Sequence, residues 1–483
     1  MPKPFIKEQD YIAAESAKRL SRVRCALAGL SLSMLLSSLG TSSANIALPT
    51  LAQDFDASFQ EVQWIVLAYL LAITTLIVSV GRLGDIIGRR RLLLAGIFLF
   101  TIASVLCGIA PNLWMLIAAR GVQGLGAAVM MTLSIAFVGE TVPKEKTGSA
   151  MGLLGTMSAI GTALGPSLGG ILISGIGWRA IFLINVPLGI LTFLLAHRHL
   201  PADREELKTD RAGFNKLGTL LLALTLAAYA LAMTIGRGSF GLLNLSLLLA
   251  AALGIGLFVL VEARSSSPLI RLAIFRELGL SAGLAMNALV STVLMATLVV
   301  GPFYLSSTLG LDMAFVGIVM SVGPLVVALT GVPVGHAVDS IGAGRITILG
   351  LIGITAGSLM LFIIPASFGI PGYIVPIVVI TACYAMFQTA NNTAVMKDVQ
   401  PDQRGIISGM LNLSRNLGLI TGASVMGALF AFASGTNDIT TAHAGDVAAG
   451  MQITFAVAAI LIMVALAIVV GSRIFSLPLS ERV

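Results

Sequence analysis

The apolar stretches of this chain are too long for a water-soluble core. They run to about 20 residues or more, roughly what a helix needs to cross 30 Å of hydrocarbon. Soluble domains break their apolar stretches every few residues and carry about 25% charged residues. Here 57% of the 483 residues are hydrophobic and 11% are charged, with a mean hydropathy of +0.98. Lipid accepts only helices and closed barrels, because every backbone N–H and C=O must be satisfied within the protein. The runs are too long and too uniformly apolar for barrel strands. The fold class that follows is an all-α integral membrane protein.

Apolar runs set against polar breaks predict fourteen transmembrane helices. They lie at about 24–48, 62–81, 92–110, 113–138, 148–174, 178–196, 214–235, 240–262, 279–305, 313–334, 346–365, 372–394, 406–433 and 450–471. The distribution of Lys and Arg orients them. With the N-terminus placed in the cytoplasm, twenty-five of the 29 basic residues fall in the cytoplasmic tails and loops. Arg179 and Arg237 fall on the other side, and Arg120 and Arg415 fall within spans. This is the positive-inside asymmetry, and it predicts an even number of spans with both termini cytoplasmic. The formal net charge of +7 is therefore topological and calls for no nucleic-acid partner. Cys25, Cys107 and Cys383 lie inside apolar stretches with no disulfide or metal-site spacing, and the four histidines are scattered. No metal or other cofactor is expected. The first 24 residues are polar and mixed in charge, and the apolar run after them is too long for a cleavable signal.

One pattern occurs twice. The sequence after span 2 is GRLGDIIGRR and the sequence after span 10 is GHAVDSIGAGR. Both contain G-x-x-x-D-x-x-G, at Gly81, Asp85, Gly88 and at Gly335, Asp339, Gly342. If spans 9–14 form a second six-helix unit, the repeat holds the same rank in both. The predicted plan is a cytoplasmic tail (1–23), a six-helix bundle (24–197), two extra helices with flanking cytoplasmic loops (198–278), a second six-helix bundle (279–471) and a cytoplasmic tail (472–483). Two similar bundles around a midplane site are a common transporter build.

Three stretches carry most of the chemistry. In the loop from Gly81 to Arg91, glycines permit close backbone approach, and Asp85 is suited to a helix N-terminus. Arg89 and Arg90 can pair with acids such as Glu140 at the end of span 4. Span 4 contains LIAARGVQGLGAA, with Arg120 inside the apolar run and Gln123 one turn away. An arginine at this depth costs about 2.5–3.5 kcal/mol on insertion scales, so it faces a wet cavity or a partner, or braces the bundle through backbone carbonyls. Span 5 presents Gly152, Gly161, Gly165, Pro166, Gly169 and Gly170. Glycines four apart make a smooth face for close helix packing, and Pro166 frees a carbonyl and can kink the helix. Such a helix suits a gate.

In these three stretches the chain resembles the major facilitator superfamily, and in detail the fourteen-span drug–proton antiporter branch of bacterial multidrug efflux transporters. The shorter stretches NIALP (Asn45 to Pro49), WIVLAY (Trp64 to Tyr69), GWRAIFLINVP (Gly177 to Pro187), LVEARSSSPLI (Leu260 to Ile270) and GMLNLSRNLG (Gly409 to Gly418) point the same way. The resemblance implies a conformational latch at Gly81, Asp85, Gly88, Arg89 and Arg90 that stabilises the outward-open state. It implies a part in proton transfer for Arg120, and a gating helix of the exporter type in span 5. Asn45, Gln123, Asn391, Asn392, Asn412 and Arg415 are candidates for the coupling site or substrate cavity. A helix–helix hydrogen bond is the other reading of each asparagine. The resemblance further implies a bacterial inner-membrane protein that works as a monomer on a small-molecule substrate, with the proton gradient as energy source.

The resemblance breaks at one point. The family carries an aspartate shortly before N-x-A-L-P in span 1, and alignment on NIALP puts Gly40 there. All 22 acidic residues fall in tails, loops or span ends, with Glu61 and Asp312 near outer ends. The substrate is then expected to be neutral or anionic, or an acid at a span end carries the proton. Secondary export of small amphipathic or toxic solutes by alternating access is the expected function. A dedicated exporter of one neutral or anionic metabolite, such as a siderophore, antibiotic or amino acid, and a non-transporting sensor are the other readings. No G-x4-G-K-[ST] loop and no catalytic constellation occurs in the sequence, so neither a primary pump nor an enzyme is expected.

Overall fold

The computed structural model describes residues 4–57, 59–203, 216–234, 241–265, 268, 270, 272–311, 313–397, 399–400, 403–435 and 443–476. Arg237 and Asp312, named above, lie outside them. The described residues form sixteen α-helices and no strand. The first seven are α1 (Pro4–Asp54), α2 (Phe59–Ile87), α3 (Arg89–Gly108), α4 (Leu113–Thr141), α5 (Thr147–Gly175), α6 (Ala180–Leu183) and α7 (Asn185–His199). Then come α8 (Lys216–Thr234) and α9 (Leu242–Arg264). The last seven are α10 (Leu278–Phe303), α11 (Met313–Ile341), α12 (Ala343–Ile363), α13 (Gly369–Lys397), α14 (Arg404–Thr421), α15 (Gly427–Ala433) and α16 (Ala444–Ser476).

Each of the fourteen expected segments falls on helix, and two of them are divided. The segment at 178–196 is interrupted at Ile184, which keeps helical dihedrals between α6 and α7, and a π-helical turn at Gly422–Met426 joins α14 to α15. Eleven helical segments among the described residues are both long and apolar enough to cross a membrane, with Trp64–Ile77 and Leu217–Met233 as shorter apolar helices. The chain is a multi-pass membrane protein. The large side chains left exposed are apolar, as on α9, where Leu242, Leu249, Leu253 and Ile255 are all more than half exposed; in lipid such a surface carries no cost.

The α2–α3, α4–α5, α11–α12 and α13–α14 connections share one end, here termed the basic end: Gly81 reaches Gly405, Gly139 reaches the Arg404 side chain, and Gly148 reaches Asp339. Helices α1 to α7 pack as one half, with α1 against α5 and α7, and α4 against α2 and α3. Helices α10 to α16 pack as the other, with α12 against α13 and α16, and α10 against α14 and α16. Between the halves the contacts are reciprocal: α5 crosses α11, and α2 crosses α14. The fifth helix of each half thus meets the second helix of the other.

The two copies of the repeat explain that reciprocity. Gly88 and Gly342 are the N-caps of α3 and α12, with φ, ψ of 113°, 126° and 99°, 139°. That region of φ is open to glycine and strained for other residues, so both copies make the same turn. Seven residues before each turn stands a second glycine at a helix crossing. A Cβ on Gly81 would collide with the Gly405 carbonyl in the first turn of α14, and a Cβ on Gly335 would lie 2.7 Å from the Gly148 carbonyl oxygen in the first turn of α5.

Apolar packing closes one end more than the other. One buried cluster joins Ile77 and Val80 of α2 to Met396, Ile406 and Met410 of α13 and α14, across the basic end. Two further clusters belong to one half each: one drawn from Ala44 to Phe182 in the first half and one from Ala282 to Val469 in the second.

Candidate functional site

A cavity of about 590 Å³ lies between the halves, within the size range of small-molecule sites. Its walls come from α1, α2, α4, α5 and α8 on one side and α10, α11, α13 and α14 on the other. Each wall is one face of a helix. On α14 the lining residues Leu411, Asn412, Arg415, Asn416 and Leu419 recur every three or four positions, and on α13 so do Thr381, Tyr384, Gln388 and Asn392.

The two walls differ in chemistry. The first half contributes methionines and hydroxyls, and the hydroxyls are spent locally. Ser38 and Ser158 share a hydrogen bond of 2.6 Å between α1 and α5, Ser42 donates to the Gly161 carbonyl at 3.1 Å, and Thr74 donates to the Leu70 carbonyl at 2.8 Å. The second half contributes amides, two phenols, two methionines and a cation. Gln388 donates to Asn392 at 3.3 Å, and Asn412 donates to the Ser408 carbonyl at 3.0 Å. The Tyr384 hydroxyl, the Gln388 carbonyl oxygen and the Arg415 Nε are buried without a hydrogen-bond partner. No Asp or Glu lines the cavity, and Arg415 is its one charged side chain, among the described residues.

Among the sequence candidates, Asn392, Asn412 and Arg415 line this cavity; Arg120, Gln123 and Asn391 do not. Arg120 is fully buried within the first half. Its Nε donates to the Ile65 carbonyl at 3.1 Å, its guanidinium donates to Gln123 Oε1 at 2.5 Å, and it lies 4.1 Å over the Tyr69 ring and 5.8 Å from that of Phe182. Gln123 passes the chain on to Ser104 at 2.7 Å. Arg120 therefore ties α4 to α2, and Gln123 ties it to α3. Asn391 donates to the Gly283 carbonyl on α10 at 3.2 Å, a helix–helix bond. Asn45, Asp85 and Pro166 are placed by their helices α1, α2 and α5.

At Gly40 the reason for the absent acid becomes visible. A Cβ there would lie 3.0 Å from the Tyr69 hydroxyl and 3.5 Å from Phe100, and that hydroxyl donates to the Ser37 carbonyl at 2.8 Å. Tyr69 fills the space beside Gly40 and lays its ring under Arg120.

At the basic end, Arg89 pairs with Glu140, the acid named from the sequence. The Arg90 amide donates to Asp203 at 2.8 Å, and its guanidinium donates to the His197 carbonyl. These bonds all stay inside the first half. The bond between halves comes from the second copy of the repeat. Asp339 on α11 accepts from the amides of Gly148, at 2.7 Å, and Ser149, at 2.9 Å, in the first turn of α5. It satisfies two of the open N–H groups of that helix and places its charge at the positive end of the helix dipole.

The glycines of α5 divide between two partners. A Cβ on Gly152 would collide with the Gly331 carbonyl of α11, in the other half. On Gly161 it would collide with the Leu35 carbonyl, and on Gly165 with the Ser42 hydroxyl, both on α1. Gly169 is buried and Gly170 half-buried.

Sequence reading missed Tyr384, Gln388 and the contribution of α8. The first two were accessible as a polar stripe on α13, Thr381, Tyr384, Gln388 and Asn392, spaced to share one helical face. No pattern marked Ala230 and Met233 of α8 as lining the cavity, or the bond between Tyr229 and Thr421 of α14.

Residues 30–423 match the model of the family described as the Major Facilitator Superfamily. The multidrug resistance protein Stp of Mycobacterium tuberculosis is 33% identical over 399 residues, covering 80% of this chain and 72% of that protein. The riboflavin transporter RibZ of Clostridioides difficile is 31% identical over 398 residues, covering 82% of this chain and 86% of that protein. Among solved structures, the proton:xylose symporter XylE superposes with a TM-score of 0.66 over 92% of this chain and 95% of that one, at 16% identity. The last likeness concerns the fold alone.

Proposed function

The chain belongs to the major facilitator superfamily, and from that premise we propose that it exports small amphipathic solutes from the bacterial cytoplasm by alternating access. The observation that carries this reading is the cavity between two halves whose helix crossings meet at the basic end. A carrier needs a site that faces one side while the other is shut, and two repeats rocking about a midplane cavity provide it. The positive-inside asymmetry assigns the basic end to the cytoplasm of an inner-membrane protein with both termini inside; the structure would then face outward. The names of the relatives, multidrug resistance and riboflavin transport, fit a small organic cargo. A monomer suffices, since both halves of the cavity belong to one chain. The proton gradient is the proposed energy source.

In this reading the basic-end residues are a latch. Gly81 lets α2 reach the first turn of α14, and Asp85 stands one turn further on. Gly88 makes the turn, and Arg89 and Arg90 fix it to α4 and to the end of α7. Asp339 holds α5 from the other half. Arg120 with Gln123 keeps the first half rigid so that it moves as a body. Transport into everted membrane vesicles tests the proposal. A panel of anionic, neutral and cationic aromatic dyes is followed with and without an imposed pH gradient. Uptake of at least one dye above vesicles lacking the chain is expected, and its absence across the whole panel would overturn export.

A further inference from the structure

Arg415 is an arginine without a partner. It stands on α14 eleven positions from Arg404, so at about 1.5 Å per residue it lies about 16 Å from the basic end, near the centre of a bilayer about 30 Å thick. No hydrogen bond or ion pair holds its guanidinium among the described residues, and its Nε is buried and unsatisfied. Arg120 has two hydrogen bonds and two aromatic faces; Arg415 has the cavity. A charge in a low-dielectric cavity calls for a pairing group, and the guanidinium fork accepts oxyanions such as carboxylate and phosphate through paired N–H bonds.

We propose that the cavity takes an anionic amphipathic solute, its carboxylate, sulfonate or enolate on Arg415 and its apolar body on the methionine lining. This rests on the export reading and names the substrate class for it. The Tyr384 hydroxyl and the amides of Gln388, Asn392, Asn412 and Asn416 share the cavity with the cation, and the Tyr384 hydroxyl is a donor with no recorded acceptor. Gln388 stands nine positions before the end of α13, about 14 Å from the same end, which puts it within a turn of Arg415 in depth. No carboxylate among the described lining residues offsets the charge, so a cationic solute would meet a like charge in a site of low dielectric. Met34, Met131 and Met151 line the cavity from the first half, Met233 from α8, and Met295 and Met320 from α10 and α11. Thioether side chains adapt to ring systems of different outline. The site is therefore selective in charge and permissive in shape.

The test uses one ring with three head groups: 2-naphthalenesulfonate, 2-naphthalenesulfonamide and 2-naphthyltrimethylammonium. Binding to the purified full-length chain is measured by equilibrium dialysis. The sulfonate is expected to bind at least about tenfold more tightly than the ammonium, as loss of one charged hydrogen-bonded contact implies. Arg415→Gln removes that preference, Arg415→Lys keeps part of it, and Arg415→Glu turns it toward the ammonium. Each variant must keep the size-exclusion profile of the parent, and Arg415→Lys serves as the conservative control. Equal or tighter binding of the ammonium, no binding of the sulfonate, or unchanged sulfonate binding in Arg415→Gln would each overturn the proposal. Proteoliposome counterflow with the same probes separates it from the export reading. Sulfonate binding without transport of any probe leaves the anion site standing and removes export. Transport of the ammonium alone leaves export standing and removes the anion site.

Discussion

Arg120 and Arg415 pose the same physical problem and receive opposite solutions. Each carries a permanent charge into the span region, at about 2.5–3.5 kcal/mol on insertion scales. For Arg120 two charged hydrogen bonds at about 1.5–3 kcal/mol each and a desolvated cation–π contact of about 2 kcal/mol more than offset it. The bracing role weighed from the sequence thus describes its geometry well. The sequence marked both arginines as unusual but could not tell them apart, because what separates them is the company supplied by Tyr69, Ile65 and Phe182 from other helices. Gly40 is similar: the missing aspartate was legible, whereas the phenol occupying its place was not. The contrast has a measurable consequence. Gln123→Leu takes the Oε1 acceptor from the Arg120 guanidinium and the amide donor from the Ser104 hydroxyl, leaving Arg120 its bond to the Ile65 carbonyl and Ser104 its bond to the Phe100 carbonyl, and is expected to cost about 1.5–3 kcal/mol. Arg415→Gln, which breaks no recorded bond, is expected to change stability by less than about 1 kcal/mol. Thermal unfolding of the two variants in detergent, followed by intrinsic fluorescence, checks the order.

At the scale of elements, the gating helix divides into two tasks. Gly161 and Gly165 seat α5 on α1 within one half, and Gly152 seats it on α11 across the halves. The regular spacing announced a close-packed face but not which neighbour each glycine meets, since the helical period is indifferent to the partner. The doubled G-x-x-x-D-x-x-G was the most informative element-level signal. It foretold two equivalent turns, and Gly88 and Gly342 adopt nearly the same backbone angles. A side-chain bond between halves, however, comes from Asp339, whereas the Arg89–Glu140 pair and the Arg90–Asp203 bond lie inside the first half. These placements give different outcomes for one substitution at two sites. Gly152→Leu must push α5 off α11 at the basic end. It is expected to abolish export while leaving the first half folded, and to raise the alkylation rate of a single cysteine at Ser149 about tenfold. Gly165→Leu pushes α5 off α1 and is expected to lower the unfolding temperature instead, by an overpacking cost of about 1–3 kcal/mol. Equal alkylation in the parent and Gly152→Leu would remove the crossing role of Gly152.

Among the described residues, the molecule is two halves joined at one end by shared apolar packing and an Asp339 cap, with Arg415 as the one charged side chain lining the cavity between them. A charge-selective cavity sets the energetics of transport as well as its specificity. A cell interior is electrically negative, so an anion leaving the cytoplasm moves down the membrane potential, whereas a cation leaving it climbs. Moving one charge through 100 mV is worth about 2.3 kcal/mol, which corresponds to about a fifty-fold gradient at equilibrium. The acid-free lining and Gly40 at the customary aspartate position then fit together: a cargo that the potential itself expels places less demand on a proton-carrying acid in the cavity. Proteoliposomes loaded with 2-naphthalenesulfonate, at equal pH on both sides, isolate this term. An inside-negative potassium–valinomycin potential is expected to drive the sulfonate out through carriers with the basic end inside, toward about a fifty-fold outward gradient per 100 mV if it moves alone. Reversing the potential should hold it in, and Arg415→Gln should reduce both responses. Efflux that ignores the potential and follows only an imposed pH gradient would mean instead that charge movement is balanced within the cycle, with an acid at a span end, such as Glu61, carrying one proton outward with each anion.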